Sequence, residues 1–125
     1  MQVLNITRCT TITRKTEVVS SIFGKMKGLM FRKGLEPGNG MLFMFSRDGK
    51  HSIWMMGMRF PIDIIYIDGD KRVVGIHRDF RPMGFHPKTW KISKPDKKCK
   101  YVLEINTGVI DNSATRIGDE LEFNF

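Results

Sequence analysis

Ile62-Asp63-Ile64-Ile65-Tyr66-Ile67, followed by Asp68-Gly69-Asp70, is the stretch on which the fold class turns. It is apolar on both faces except at Asp63, and it ends in an Asp-Gly pair that favours the backbone angles of a tight hairpin. A short apolar run between Pro61 and a turn reads as a buried strand, with Arg72 to His77 as its return.

The neighbouring segments repeat this logic. Met41 to Phe45 is too short and too apolar for a surface helix and reads as another buried strand. Ser46-Arg47-Asp48-Gly49 is expected to turn it into a partner strand from His51 to Met58. Met1 to Thr7 and Cys99 to Ile105 read as strands. Glu120 to Phe125 alternates Leu121, Phe123 and Phe125 with polar residues, the pattern of a half-exposed strand. From about Thr16 to Met30, Val18, Val19, Ile22, Phe23, Met26, Leu29 and Met30 recur at three- and four-residue intervals, which predicts one amphipathic helix. Phe80 to Pro95, with its three prolines, is expected to be loop. Asn106 to Arg116 is turn-rich, with room for a short helical turn. The expected fold is mainly β (α+β): a small antiparallel, partly closed β-barrel with one amphipathic helix packed on it.

At 125 residues the chain has the length of one domain, so residues 1–125 are read as a single unit. That length buries enough surface to hold a core without disulfides or metals. A mean hydropathy of −0.25 and the absence of any long apolar run give no membrane segment. No charged stretch followed by an apolar one opens the sequence, so a cytoplasmic location is expected. Cys9 and Cys99 are far apart and match no metal-ligand spacing. Free buried thiols are the favoured reading, with a disulfide as the alternative.

Five blocks in order carry a resemblance to a known family: Lys27-Gly28-Leu29-Met30 after the expected helix; Gly40-Met41-Leu42-Phe43; His51 through Met58 into Pro61-Ile62-Asp63; Val102-Leu103-Glu104 with Gly108; and Ile117-Gly118-Asp119. Together they make the chain similar, over nearly its whole length, to the DUF192 family of prokaryotic proteins. The resemblance implies a small β-rich, barrel-like domain and implies no activity. Many members of that family carry an export signal, which is not evident in this sequence.

The chemically richest segment holds His51, Trp54, Arg59 and Asp63. A carboxylate with apolar neighbours on both faces must be paired or hydrogen-bonded, because burial without a partner costs several kcal/mol or forces protonation. Arg59 and His51 are its nearest candidate partners in sequence, and Glu104 in another strand can join them. His51, Trp54, Arg59, Asp63 and Glu104 are therefore the candidate ligand-binding cluster. A purely structural cluster is the favoured reading of those residues, and general acid–base catalysis of an unspecified reaction is an alternative. No P-loop, dinucleotide fingerprint or activated nucleophile is present, so no cofactor is implied. Met55, Met56 and Met58 with His51 offer soft ligands for Cu(I), but strand alternation sends them to opposite faces. Core packing is the favoured reading, and no metal is expected.

The net charge is +8 at pH 7 and the pI is near 9.8, which favours an anionic partner or simply good solubility. Arg81, Lys88, Lys91, Lys94, Lys97, Lys98 and Lys100 fall in one segment whose only acid is Asp96. Phe80, Phe85, His86 and Trp90 are interleaved with them, and aromatics among cations can stack on bases while the cations follow phosphates. Nucleic-acid binding through Arg81, Lys88, Trp90, Lys91, Lys94, Lys97 and Lys98 is thus a second functional expectation, beside a small binding domain with a polar pocket.

Overall fold

The computed structural model describes residues 1–21, 28–29, 32–54, 58–82 and 91–125, with Trp54 described in its backbone only. Among the described residues, ten strands and one short helix follow in chain order: β1 (Val3–Asn5), β2 (Thr10–Thr13), β3 (Lys15–Val19), β4 (Asn39–Gly49), β5 (Ile53–Trp54), β6 (Ile62–Ile67), β7 (Val73–Phe80), β8 (Ile92–Ser93), β9 (Cys99–Asn106), α1 (Val109–Asn112) and β10 (Leu121–Glu122). They form a five-stranded sheet of order β3-β4-β9-β6-β7, a three-stranded sheet of order β10-β1-β2 and a two-stranded sheet of β5 and β8. The fold is mainly β.

The quoted stretch behaves as its pattern dictates. β6 lies between β9 and β7, and all six of its residues are buried. One face packs with Leu42, Leu103, Ile105 and Ile110 and with Val3, Ile12, Leu121 and Phe123 of the three-stranded sheet and its flanks. The other joins Met41, Phe43, Phe80 and Val102. A strand covered on both faces needs a nearly continuous apolar run, and β6 has one. The hairpin after it closes on Asp68, whose Oδ1 accepts the N–H groups of Asp70 and Arg72 at 2.9 and 3.0 Å.

Three expectations are corrected. The predicted helix does not begin at Thr16: Lys15–Val19 is a strand, pairing with β4 from Asn39 to Phe43. Thr16, Val18 and Val19 are β-branched, and their stiffness at χ1 suits a strand better than a helix. The remainder of that predicted helix, apart from Gly28 and Leu29, lies outside the described residues. This β3–β4 pair is also parallel, whereas the other described strand pairs are antiparallel. Lastly, Asp48-Gly49 does not turn the chain into a hairpin. β4 continues to Gly49, which meets Cys99 of β9 after a register shift, and β5 pairs with β8 instead.

The ladders do not close into one ring. Arg14 alone separates β2 from β3, so the chain passes directly from the small sheet to one edge of the large one. At the opposite edge the Val73 N–H donates to the Asp119 carbonyl at 2.9 Å, and the Leu121 N–H to that of Lys71 at 2.8 Å. No disulfide forms: Cys99 is buried as expected, but Cys9 is exposed. No helix among the described residues is long and apolar enough to cross a membrane.

Candidate functional site

Asp63 is buried, as its apolar neighbours demand, but its partners are not those expected. Its Oδ1 accepts the backbone N–H of Asp79 at 2.8 Å, and its Oδ2 accepts those of Gly108 and Ile110, each at 3.1 Å. The side chain thus caps α1 from a distant strand, taking up donors that a helix start leaves unsatisfied. Arg59 is exposed and makes no ion pair among the described residues. The His51 ring stacks on Phe45 with centroids 3.6 Å apart, and its Nε2 lies 3.0 Å from the Arg47 carbonyl oxygen. The side chain of Trp54 lies outside the described residues, as do Lys88 and Trp90.

Register separates Asp63 from Glu104. Asp63 pairs with Ile105, whereas Glu104 pairs with Ile64, so the two carboxyl groups sit on adjacent strands but on opposite faces. The pairings continue across the sheet: Met41 opposes Glu104, Glu104 opposes Ile64, and Ile64 opposes His77. With Glu17 of β3, which opposes Met41, these residues form one cross-strand row through β3, β4, β9, β6 and β7. The next row on that face runs Phe43, Val102, Tyr66, Gly75.

The structure brings a polar chain onto this face. The Tyr66 hydroxyl lies 2.6 Å from Ser93 Oγ, and Ser93 Oγ lies 2.8 Å from Nδ1 of His77. Gly75 makes the geometry possible, since a Cβ there would stand 3.2 Å from Cδ2 of Tyr66 and 3.4 Å from Cβ of Pro95. Glu104 is 5 % exposed, and its Oε2 is buried with no hydrogen-bond partner.

Electrostatics follow from this burial. Desolvation pushes the Glu104 carboxyl up to about 8. Burial likewise raises the Tyr66 phenol to about 12, against the bond from Ser93, and Glu104 adds to the rise. Desolvation holds His77 below the usual imidazole value, with Lys91 acting the same way and Asp63 against it. At pH 7 the face therefore carries a protonated carboxyl, two hydroxyls and a neutral imidazole.

Sequence reading found Glu104 but missed Tyr66, Ser93 and His77. Alternation alone places Tyr66 two residues from Ile64, on the face that Glu104 shares. Ser93 had no local signal, because its strand is two residues long. In the basic segment, Lys91, Lys94, Lys97 and Lys98 are exposed, and so is Arg81, which pairs with Asp79 at 3.0 Å. Among the described residues, two surface hollows lie away from the Glu104 row: one along residues 32–37, and one of about 300 Å³ beside Arg14, Pro37 and Asn112.

Residues 4–123 match the model of the family described as uncharacterized ACR, DUF192. A UPF0127 protein of Pyrococcus furiosus is 28% identical over 123 residues, 97% of either chain. Among solved structures, a proposed transcription regulator of Sinorhizobium meliloti superposes with a TM-score of 0.83 at 26% identity, covering 97% of this chain and 89% of its own. A Novosphingobium aromaticivorans protein of unknown function gives 0.81 at 25% identity, covering 98% and 82%.

Proposed function

The chain belongs to the DUF192 family, and from that premise we propose that it is a small ligand-binding domain whose ligand is held on the Glu104 row of the central sheet. One observation carries this reading. A buried carboxyl oxygen without a hydrogen bond is an unmet demand in the interior, and native structures rarely leave one without a reason. A ligand that bonds Glu104 meets that demand, and Tyr66, Ser93 and His77 stand on the same face to orient it. This reading keeps Glu104 from the cluster of His51, Trp54, Arg59, Asp63 and Glu104 and gives Asp63 the work of capping α1. We also read the two larger sheets as a partly closed barrel, since backbone bonds near Val73 and the single residue between β2 and β3 draw their edges together.

The test is a fragment screen by protein-observed NMR on the wild type and on Glu104→Leu. Hits are expected to shift the amides of Glu104, Tyr66, Gly75 and His77 and to be lost in the variant. A screen whose hits ignore all four positions would contradict the proposal.

A second reading is nucleic-acid binding through Arg81, Lys88, Trp90, Lys91, Lys94, Lys97 and Lys98. The exposure of Lys91, Lys94, Lys97 and Lys98 favours it, as does the description of the Sinorhizobium meliloti protein as a proposed regulator. Binding of a labelled single strand that weakens steeply with salt, and loses part of that slope in a Lys94→Glu, Lys97→Glu, Lys98→Glu variant, is its expected signature. Salt-independent or absent binding would exclude it.

A further inference from the structure

We infer that the ligand of the Glu104 row is an uncharged molecule that presents a carbonyl beside an N–H, as a carboxamide or lactam does. The inference rests on the reading of this row as the ligand site. A protonated carboxyl group shows an O–H donor and a C=O acceptor side by side, which is the complement of an amide's C=O and N–H. Two parallel hydrogen bonds then satisfy Glu104 and the ligand together.

The groups that face Glu104 decide against an ion. From β4 come Met41 and Phe43, from β6 Ile64 and Tyr66, from β7 His77, and from β9 itself Val102 and Cys99. β8 supplies Ser93 through its bonds to Tyr66 and His77. Among the described residues, these immediate neighbours include no lysine, arginine or second carboxylate; the charged pair of the row, Glu17 of β3 opposite Met41 and its partner Arg32, sits beyond Met41 at the sheet edge. Burial is what raises the Glu104 carboxyl. An anionic ligand would enter an apolar wall whose immediate described neighbours offer no cation, with Arg32 already paired to Glu17, beside a group that can only add negative charge. A cationic ligand would first require Glu104 to lose a proton that burial holds to about pH 8. An amide requires neither.

pH makes the distinction measurable. Burial raises the Tyr66 phenol and the Cys99 thiol and lowers the His77 imidazole, so all three titrate outside the interval from pH 7 to 9. Among the described residues of this face, Glu104 is the group that changes charge within it. Acetamide, acetamidinium and acetate share one planar shape and differ in charge, and each is titrated against the protein by NMR from pH 6 to pH 9.5.

Acetamide is expected to shift the amides around Glu104, to bind with constant affinity up to about pH 7, and to approach a tenfold loss per pH unit above about pH 8. Glu104→Gln keeps a carbonyl beside an N–H without the charge. It is expected to retain acetamide and lose the pH dependence, with its amide spectrum showing the native fold. Acetamidinium or acetate binding more tightly than acetamide at pH 7 overturns the inference and leaves the ligand site standing. If none of the three perturbs the Glu104 row, or all bind Glu104→Leu as they bind the wild type, the site reading falls and the inference with it.

Discussion

Asp63 Oδ2 lies 3.1 Å from the backbone N of Ile110, and this bond ties the fully buried strand β6 to the short helix α1. The same oxygen holds Gly108, which has the left-handed φ of 93°. Asn at position 63 keeps one acceptor oxygen and turns the other position into an amide donor facing an N–H. Asp63→Asn is therefore expected to lower unfolding free energy by about 1–3 kcal/mol, the range for a buried group left unsatisfied. Urea unfolding measures it. Unchanged stability would show that these backbone donors have water or other acceptors in reserve.

That residue also shows how far the sequence could be read. Its burial followed from six positions of local pattern, and so did the β6–β7 hairpin. Its partners did not follow, because Gly108 and Ile110 lie 45 and 47 residues away and donate from the backbone, which carries no side-chain signature. The stretch from Thr16 forms a strand despite its apolar spacing at three and four residues, because the β-branched side chains of Thr16, Val18 and Val19 suit a strand. Pairing with β4 then decided the outcome. Tertiary contacts override weak local preference in this way. Glu104 was visible as a carboxylate in an apolar strand. The face it shares with His77 depended on register across three strands, which one strand's sequence cannot supply.

Ser93 bonds both the Tyr66 hydroxyl and the His77 ring, so removing its hydroxyl orphans two polar groups at once. Ser93→Ala is expected to cost about 1–3 kcal/mol. Tyr66→Phe removes one member and leaves Ser93 its bond to His77, so its cost should be smaller. Thermal unfolding of both variants gives the comparison. A larger loss for Tyr66→Phe would mean that the phenol has a further buried partner.

The two cysteines should differ sharply in reactivity. Cys9 is exposed, whereas Cys99 is buried and its thiol is pushed up by desolvation, which keeps it protonated and inert. A thiol reagent at pH 8 is expected to titrate one group per native chain rapidly and the second only in denaturant. Two fast groups without denaturant, or none, would contradict the placement of these residues.

Glu104 gives the sharpest prediction of pH-dependent stability. Its carboxyl titrates at about 8 when folded and at the ordinary 4.5 when unfolded. Below pH 4.5 both states hold the proton, and the stability associated with protonated Glu104 is fully present. Between 4.5 and 8 the folded state holds a proton that the unfolded state has released. Linkage then makes stability fall as pH rises, by about 1.4 kcal/mol per unit for this group alone. Above 8 both states are ionised and the decline stops. Glu104→Gln removes the titration while keeping size and shape, so other groups cancel in the difference between wild type and variant. Wild type minus variant is expected to become more negative from pH 5 to pH 8 and then level off, with the variant the more stable protein at pH 8.5. Urea unfolding at half-unit intervals reads this curve. A difference that is flat, or that rises with pH, would show that the Glu104 carboxyl ionises at its ordinary pH in the folded chain.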